Sequence, residues 1–166
     1  MNTNPSYICL GVDPGSSSGC IAIIKNGHLR LHGIGSLTEK QIERVFYEAF
    51  LDKGLNTELF AAIERVHSIK GQGLASSFKF GVNYGFLRGC LVANRVPFVD
   101  VLPKAWQKHY SMSKKKNETE PHWKRRLLGI AQNLYPAVNI PLYAADAVLI
   151  SHYVRQKIIR DEQENG

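Results

Sequence analysis

Three carboxyl residues stand where an ordinary surface acid is not expected. Asp13 closes the apolar run "YICLGVD" and is followed at once by Pro14 and Gly15. That pair is turn chemistry, since Pro presets φ and Gly accepts φ > 0. Glu64 ends a second apolar run in "AAIERVH", and Asp146 lies in "LYAADAVLISHYV" with no charge nearer along the chain than His152 and Arg155. Each has a plain account when taken singly: Asp13 can start a turn, Glu64 can pair with Arg65 or a lysine, Asp146 can cap a helix. Yet Asp146 falls inside the expected helix, where a carboxylate is costly to desolvate unless a cation meets it. A metal ion is the better account there. Three carboxyls brought together repel one another unless a divalent ion neutralises them, and oxygen ligands without Cys or His favour Mg²⁺ or Mn²⁺. Two such ions can activate water and stabilise both the attacking and the leaving oxygen of a phosphodiester.

Charge points to the partner of such a site. The 166 residues carry a formal charge of +7, with a pI of about 9.4, a balance that favours a polyanion. Positive residues concentrate in "SKKK" (Ser113 to Lys116) and "HWKRR" (His122 to Arg126), while residues 39–64 are nearly balanced or acidic. A lysine run can be no more than a solvated loop. Here Trp106, His109, Tyr110 and Trp123 lie among the cations, a mixture expected where bases stack and phosphates are held. A basic surface beside an acidic metal site is the arrangement of a nuclease.

The elements that must position these groups can be read from apolar periodicity. Strands are expected over 7–13, 19–25 and 27–34, the last after the turn Asn26-Gly27. A helix over 38–53 follows from Ile42, Val45, Phe46, Ala49 and Phe50 at helical spacing, and a fourth strand over 57–66. A longer helix is expected over 75–94, a strand over 96–102, and helices near 104–109, 122–134 and 143–160. Along the fourth strand, parity places Ile63 and Arg65 on one face and Ala62, Glu64 and Val66 on the other. Gly81, Gly85 and Gly89 are four apart in the long helix. Each costs helix stability, so together they predict a close backbone approach to another element, whether the sheet, a second subunit or nucleic acid, with close packing favoured. The order β-β-β-α-β-α-β-α is α/β, a mixed five-stranded sheet flanked by helices on both faces.

Hydrophobic residues are 44% of the chain, enough for one core in one domain over 1–160, with 161–166 as a polar tail. No apolar run approaches the ~18 residues of a membrane span, and "MNTNPSY" lacks the regions of a secretory signal. Cys9, Cys20 and Cys90 all lie in apolar segments, an arrangement that reads as reduced core thiols of a cytoplasmic protein. His28 and His32 lie in a strand-like stretch and are expected at the surface.

The ordered set "GVDPGSSSG", "AIERVHSIKGQGLASSFKFGVNYGFLRG", "PKAWQKHY" and "YAADAVLI" resembles the RuvC family of Holliday junction resolvases, most closely its phage-type members, over nearly the whole chain. The resemblance implies the RNase H-like (retroviral-integrase-type) fold, with Asp13, Glu64 and Asp146 as metal-binding catalytic acids. It implies Mg²⁺ as cofactor, two ions per site with Mn²⁺ able to substitute, and a 5′-phosphate and 3′-hydroxyl as products. The expected partner is branched DNA, preferably a four-way junction, nicked twice by a twofold homodimer; the glycine-spaced helix is the candidate interface.

Two positions depart from the family pattern. Tyr143 stands where many members have a further acid, three residues before the last aspartate. At helical spacing it would share a face with Asp146 and could hold a metal-bound water or pack. Gln107 stands where many members have a lysine after the tryptophan, leaving Lys104, Lys108 or Lys124 to meet the scissile phosphate. Lys70, Lys114, Lys115, Lys116 and Arg125 complete the candidate DNA-binding set. The resemblance implies a junction wedge at His67 or Ile69, in a stretch that equally reads as an ordinary loop with a solvated Lys70. Rival readings are a related RNase H-like nuclease on other branched DNA or RNA, and a junction-binding protein without cleavage. Half of a sugar-kinase-type ATPase fits poorly, because the chain is too short for both halves of that cleft.

Overall fold

The computed structural model describes residues 6–65 and 73–165. His67, Ile69 and Lys70 lie outside the described residues. β1 (Ser6–Asp13), β2 (Cys20–Lys25), β3 (His28–Gly33), β4 (Thr57–Glu64) and β5 (Phe98–Val101) form one sheet. Its strand order is β3-β2-β1-β4-β5. β1 and β2, and β2 and β3, pair antiparallel, whereas β4 runs parallel to β1 and β5 parallel to β4. The helices are α1 (Glu39–Leu51), α2 (Leu74–Ala93), α3 (Pro103–His109), α4 (Glu120–Leu134) and α5 (Ala145–Asn165). This is the mixed five-stranded α/β sheet expected from the element order.

Strand parity sorts the core into two layers. Ile8, Leu10, Val12, Ile21, Ile23, Leu59, Ala61 and Ile63 face α1 and the C-terminal part of α2. Cys9, Cys20, Ala22, Ile24, Ala62 and Val101 face α3, α4 and α5. Asp13 and Glu64 continue the second set, because side chains two residues apart share a face. Val12 pairs with Ile63 across β1 and β4, so both acids leave the sheet side by side at its C-terminal edge. The three cysteines are buried and free. Burial pushes the Cys9 and Cys20 thiols up to about 12 and Cys90 to about 11, as inert core thiols require.

α5 crosses β1 at Gly11. A Cβ there would lie 2.1 Å from the carbonyl oxygen of Ala147 and 2.3 Å from the Ser151 nitrogen, so only glycine admits the helix this close. Ser151 Oγ then donates to the Cys9 carbonyl at 2.7 Å in the buried seam. The first turn of α5, with Asp146, is thereby carried to the end of β1.

Several expectations are corrected. Gly81, Gly85 and Gly89 meet nothing: added Cβ atoms would have no neighbour within 4 Å. The long helix is buried only at Leu87, Cys90 and Leu91, so its glycine stripe is not explained by packing within the chain. The last helix begins at Ala145, after a 3₁₀ turn over Leu142–Ala144, and continues to Asn165, through the segment expected as a polar tail. The strand expected over 96–102 is confined to Phe98–Val101. His28 is exposed as expected, but His32 is half-buried, and burial lowers its pKa. Among the described residues no helix is long and apolar enough to cross a membrane.

Candidate active site

Asp13, Glu64 and Asp146 arrive from β1, β4 and α5 and share one electrostatic environment. The Gly15 N–H donates to Asp13 Oδ1 at 3.2 Å. The indole N–H of Trp106 donates to Glu64 Oε1 at 2.9 Å. The ammonium of Lys124, from the first half of α4, donates to Asp146 Oδ2. Asp146 is 7% exposed, and its Oδ1 is buried with no hydrogen-bond partner among the described residues.

The charges do not balance. Burial, then the negative charge of Asp146, pushes the Asp13 carboxyl up to about 6, against the pull of Lys124 and the Gly15 amide. Burial, then Asp13, pushes Glu64 up to about 7, although the Trp106 indole favours its charged form. Burial works against the charge on Lys124, but Asp146, Asp13 and Glu64 outweigh it and hold its pKa above the ordinary value. One ammonium among three carboxyls leaves an excess of negative charge in a dehydrated place, the condition that raises carboxyl pKa values.

Among the described residues no three His, Cys, Asp or Glu side chains are arranged to hold a metal ion as they stand; Asp146 instead meets Lys124. The chemistry of the donors nevertheless fits a hard divalent cation. All are carboxylate oxygens, two belong to carboxyls raised by burial and then by a neighbouring negative charge, and a buried Asp146 oxygen lacks a partner among the described residues. Asp146 lies in the first turn of α5, where the helix dipole also favours a carboxylate. Apolar periodicity alone puts it deeper, in a helix begun at Tyr143.

The lysine candidates separate. Among the described residues, Lys124 alone reaches the acids. Lys104, Lys108, Lys115, Lys116 and Arg125 are exposed, while Lys114 Nζ pairs with Glu120 at 2.5 Å. Much of the basic stretch is tied to itself by Glu118. Its carboxylate accepts from the Lys115 amide and from Arg126, and meets His122. Although desolvation opposes the charged form, these bonds lower its pKa to about 2.

Of the four aromatics expected to stack on bases, only His109 is exposed. Trp106 is 0% and Trp123 5% exposed. The Tyr110 hydroxyl donates to the Leu149 carbonyl at 2.8 Å, and His109 packs edge-on against Tyr110 and Tyr153. Trp106, Trp123 and Tyr110 are core and seam residues. Tyr143 also departs from its expected place on the face of Asp146. Its phenol lies over Gly33, where an added Cβ would be 3.0 Å from the hydroxyl oxygen. Gly33 pairs with Cys20, which pairs with Asp13, so the ring sits two strands from β1. The 3₁₀ turn breaks the helical spacing that the expectation requires.

Sequence reasoning missed the Trp106–Glu64 bond. A signal for it exists in Pro103, which opens α3 at its first turn and places Trp106 one turn later.

No protein-family model matches the chain, and no curated relative matches it. Solved structures do. The structure of T. thermophilus RuvC in complex with Holliday junction substrate is similar with a TM-score of 0.58 and 16% identity, over 90% of this chain and 92% of that one. A second Thermus thermophilus RuvC structure gives 0.57 and 14%, over 88% and 92%. The chain has the fold of RuvC Holliday junction resolvase structures.

Proposed function

We propose that the chain is a structure-selective endonuclease that nicks four-way DNA junctions as a homodimer with Mg²⁺. The observation that carries this reading is the convergence of Asp13, Glu64 and Asp146, with the Asp13 and Glu64 carboxyls pushed up and a lysine among them. The RuvC neighbour bound to a Holliday junction substrate supports the choice of DNA. Asp13, Glu64 and Asp146 would hold the ions, two per site, with Mn²⁺ able to replace Mg²⁺. Bound there, the ions supply a more acidic water and charge stabilisation at the reacting oxygens.

This chain's own residues do the rest. Trp106 fixes one oxygen of Glu64 and leaves the other free of that bond. Lys124 is the cation placed to meet a non-bridging oxygen of the scissile phosphate once it leaves Asp146. Attack of water on phosphorus breaks the bond to the 3′-oxygen, leaving a 5′-phosphate and a 3′-hydroxyl. Lys104, Lys108, Lys115, Lys116 and Arg125 hold the flanking phosphates without reading sequence.

Symmetric resolution needs one site on each opposed strand, and α2 offers the pairing surface. Phe78, Val82, Gly85, Gly89 and Val92 recur at alternating spacings of four and three, and all are exposed. Phe78 is 73% and Val92 67% exposed, unusual for a surface left to water. In a twofold pair, apolar knobs of one helix would enter the glycine gaps of the other.

The test is incubation with a four-way junction, a Y-fork and linear duplex, each with Mg²⁺ and with Ca²⁺. Paired nicks in the junction with Mg²⁺ alone are expected. Tight junction binding without any nick would establish a binding protein instead, and equal cleavage of all three substrates would remove the junction from the reading.

A further inference from the structure

One peptide plane holds Asp13, and α2 holds that plane. The Gly15 N–H donates to Asp13 Oδ1. The carbonyl of the same peptide, that of Pro14, accepts from Asn83 Nδ2 at 2.6 Å, 69 residues away in sequence. The bond is trans, and a trans peptide is planar with its N–H and C=O directed oppositely. Anchoring the carbonyl therefore sets the direction in which the N–H meets Asp13.

Asn83 is half-buried and sits one turn before Leu87, the first fully buried residue of α2. All of the buried residues of α2 lie in its C-terminal half. Among the described residues, Asn83 is the first side chain along α2 whose hydrogen bond reaches the body of the domain. Its neighbours Phe78, Val82 and Gly85 belong to the exposed stripe.

We infer that Asn83 is a positioning residue that links the seating of α2 to the carboxyl of Asp13. A second copy packed on the stripe braces the N-terminal half of α2. Asn83 then holds the Pro14–Gly15 peptide, and the peptide holds Asp13 in its ligating orientation. Metal affinity at Asp13 thereby depends on pairing, so a lone subunit is a poor nuclease. This rests on Asp13 being a metal-binding acid and on α2 being the pairing helix.

The test compares wild type with Asn83→Ala and with Asn83→Leu, which keeps the volume but cannot donate. Mn²⁺ affinity is read by electron paramagnetic resonance, and exchange of the Gly15 amide by NMR. Both variants should bind Mn²⁺ about two- to tenfold more weakly, the scale of one neutral hydrogen bond, and Gly15 should exchange faster. Sedimentation and metal-free junction binding should not change. Phe78→Asp should lower Mn²⁺ affinity as well, and the loss in Phe78→Asp/Asn83→Ala should fall short of the sum. Unchanged affinity and exchange in both Asn83 variants would overturn the inference, as would a loss confined to Asn83→Ala or strict additivity with Phe78→Asp. Asp13→Asn, measured alongside, separates the failures. If it too leaves Mn²⁺ affinity unchanged, the metal-site reading falls and takes the inference with it. If it alone weakens binding, only the inference falls.

Discussion

α5 and α2 are the two longest helices, and both are built with small residues, yet the chain uses them in opposite ways. In α5, Ala144, Ala145 and Ala147 at or beside its start are fully buried, and the glycine opposite, Gly11, is closely covered by the helix backbone. In α2 the glycines face open space, and Phe78, Val82 and Val92 on the same stripe face water. A small residue permits close approach but does not supply the partner. Within one chain α5 has its partner in the sheet, and the result is a buried acid in a fixed place. α2 keeps its approach surface uncovered, and Asn83 ties it to the same acid cluster from the other side.

The sharpest way to break the comparison is to remove the acids that α5 and the sheet bring together. Asp13→Asn and Glu64→Gln should each lower Mg²⁺-dependent nicking by about 10³-fold or more, the scale of losing an electrostatic group aimed at the transition state. Junction binding in Ca²⁺ should be largely kept. Substantial cleavage by either variant would end the assignment of the site.

Gly11→Ala tests the seam itself. The new methyl would meet backbone atoms of Ala147 and Ser151, which have no rotamer to yield, so α5 must shift. A stability loss of about 1–3 kcal/mol is expected in denaturant unfolding, with nicking lost as Asp146 moves. An unaltered midpoint would show that the seam is looser than its geometry.

On the α2 side the expectation reverses. Phe78→Asp should leave the monomer's stability within about 0.5 kcal/mol, as for exposed sites, yet abolish the dimer in sedimentation. Paired resolution should become single nicks. A dimer that survives would place the interface elsewhere.

A smaller effect follows from the raised carboxyls. Asp13 at about 6 and Glu64 at about 7 stand above their ordinary 3.8 and 4.5. Between about pH 4 and 7 the folded state therefore keeps protons that the unfolded chain has released, and metal-free stability must fall as pH rises through that window. The metal-free melting temperature should be lower at about pH 8 than at about pH 5, and Mg²⁺ should close the gap. A flat profile would mean that burial and mutual repulsion do not raise the two carboxyls.

The least effect belongs to the basic loop, outside both helices. Replacing Lys114, Lys115 and Lys116 by Ala should weaken binding to all DNA shapes alike. The slope of log K against log salt should shrink by about two units, one for each phosphate no longer neutralised, since Lys114 is already paired with Glu120. An unchanged slope would make the run a solvated loop.

Local structure was legible in the order of residues. Apolar runs with period two or 3.6 located the five strands and five α-helices of the described residues, and strand parity placed Glu64 on the face that α5 covers. The acids were legible because a carboxylate at the end of an apolar run, or inside an alanine-rich helix, conflicts with its surroundings. Tertiary structure alone decided which groups meet them. Lys124 reaches Asp146 across 22 residues, Trp106 reaches Glu64 across 42, and Asn83 reaches Pro14 across 69. Spacing encodes geometry only within one element, so it misplaced Tyr143, where a 3₁₀ turn interrupts the helix. It also treated Trp106 and Trp123 as stacking surfaces, because composition does not distinguish an aromatic that faces water from one that faces the core. The glycines show the same divide: Gly11 and Gly85 are the same residue in sequence, and only the packing shows that a helix fills the space over one and leaves the other open.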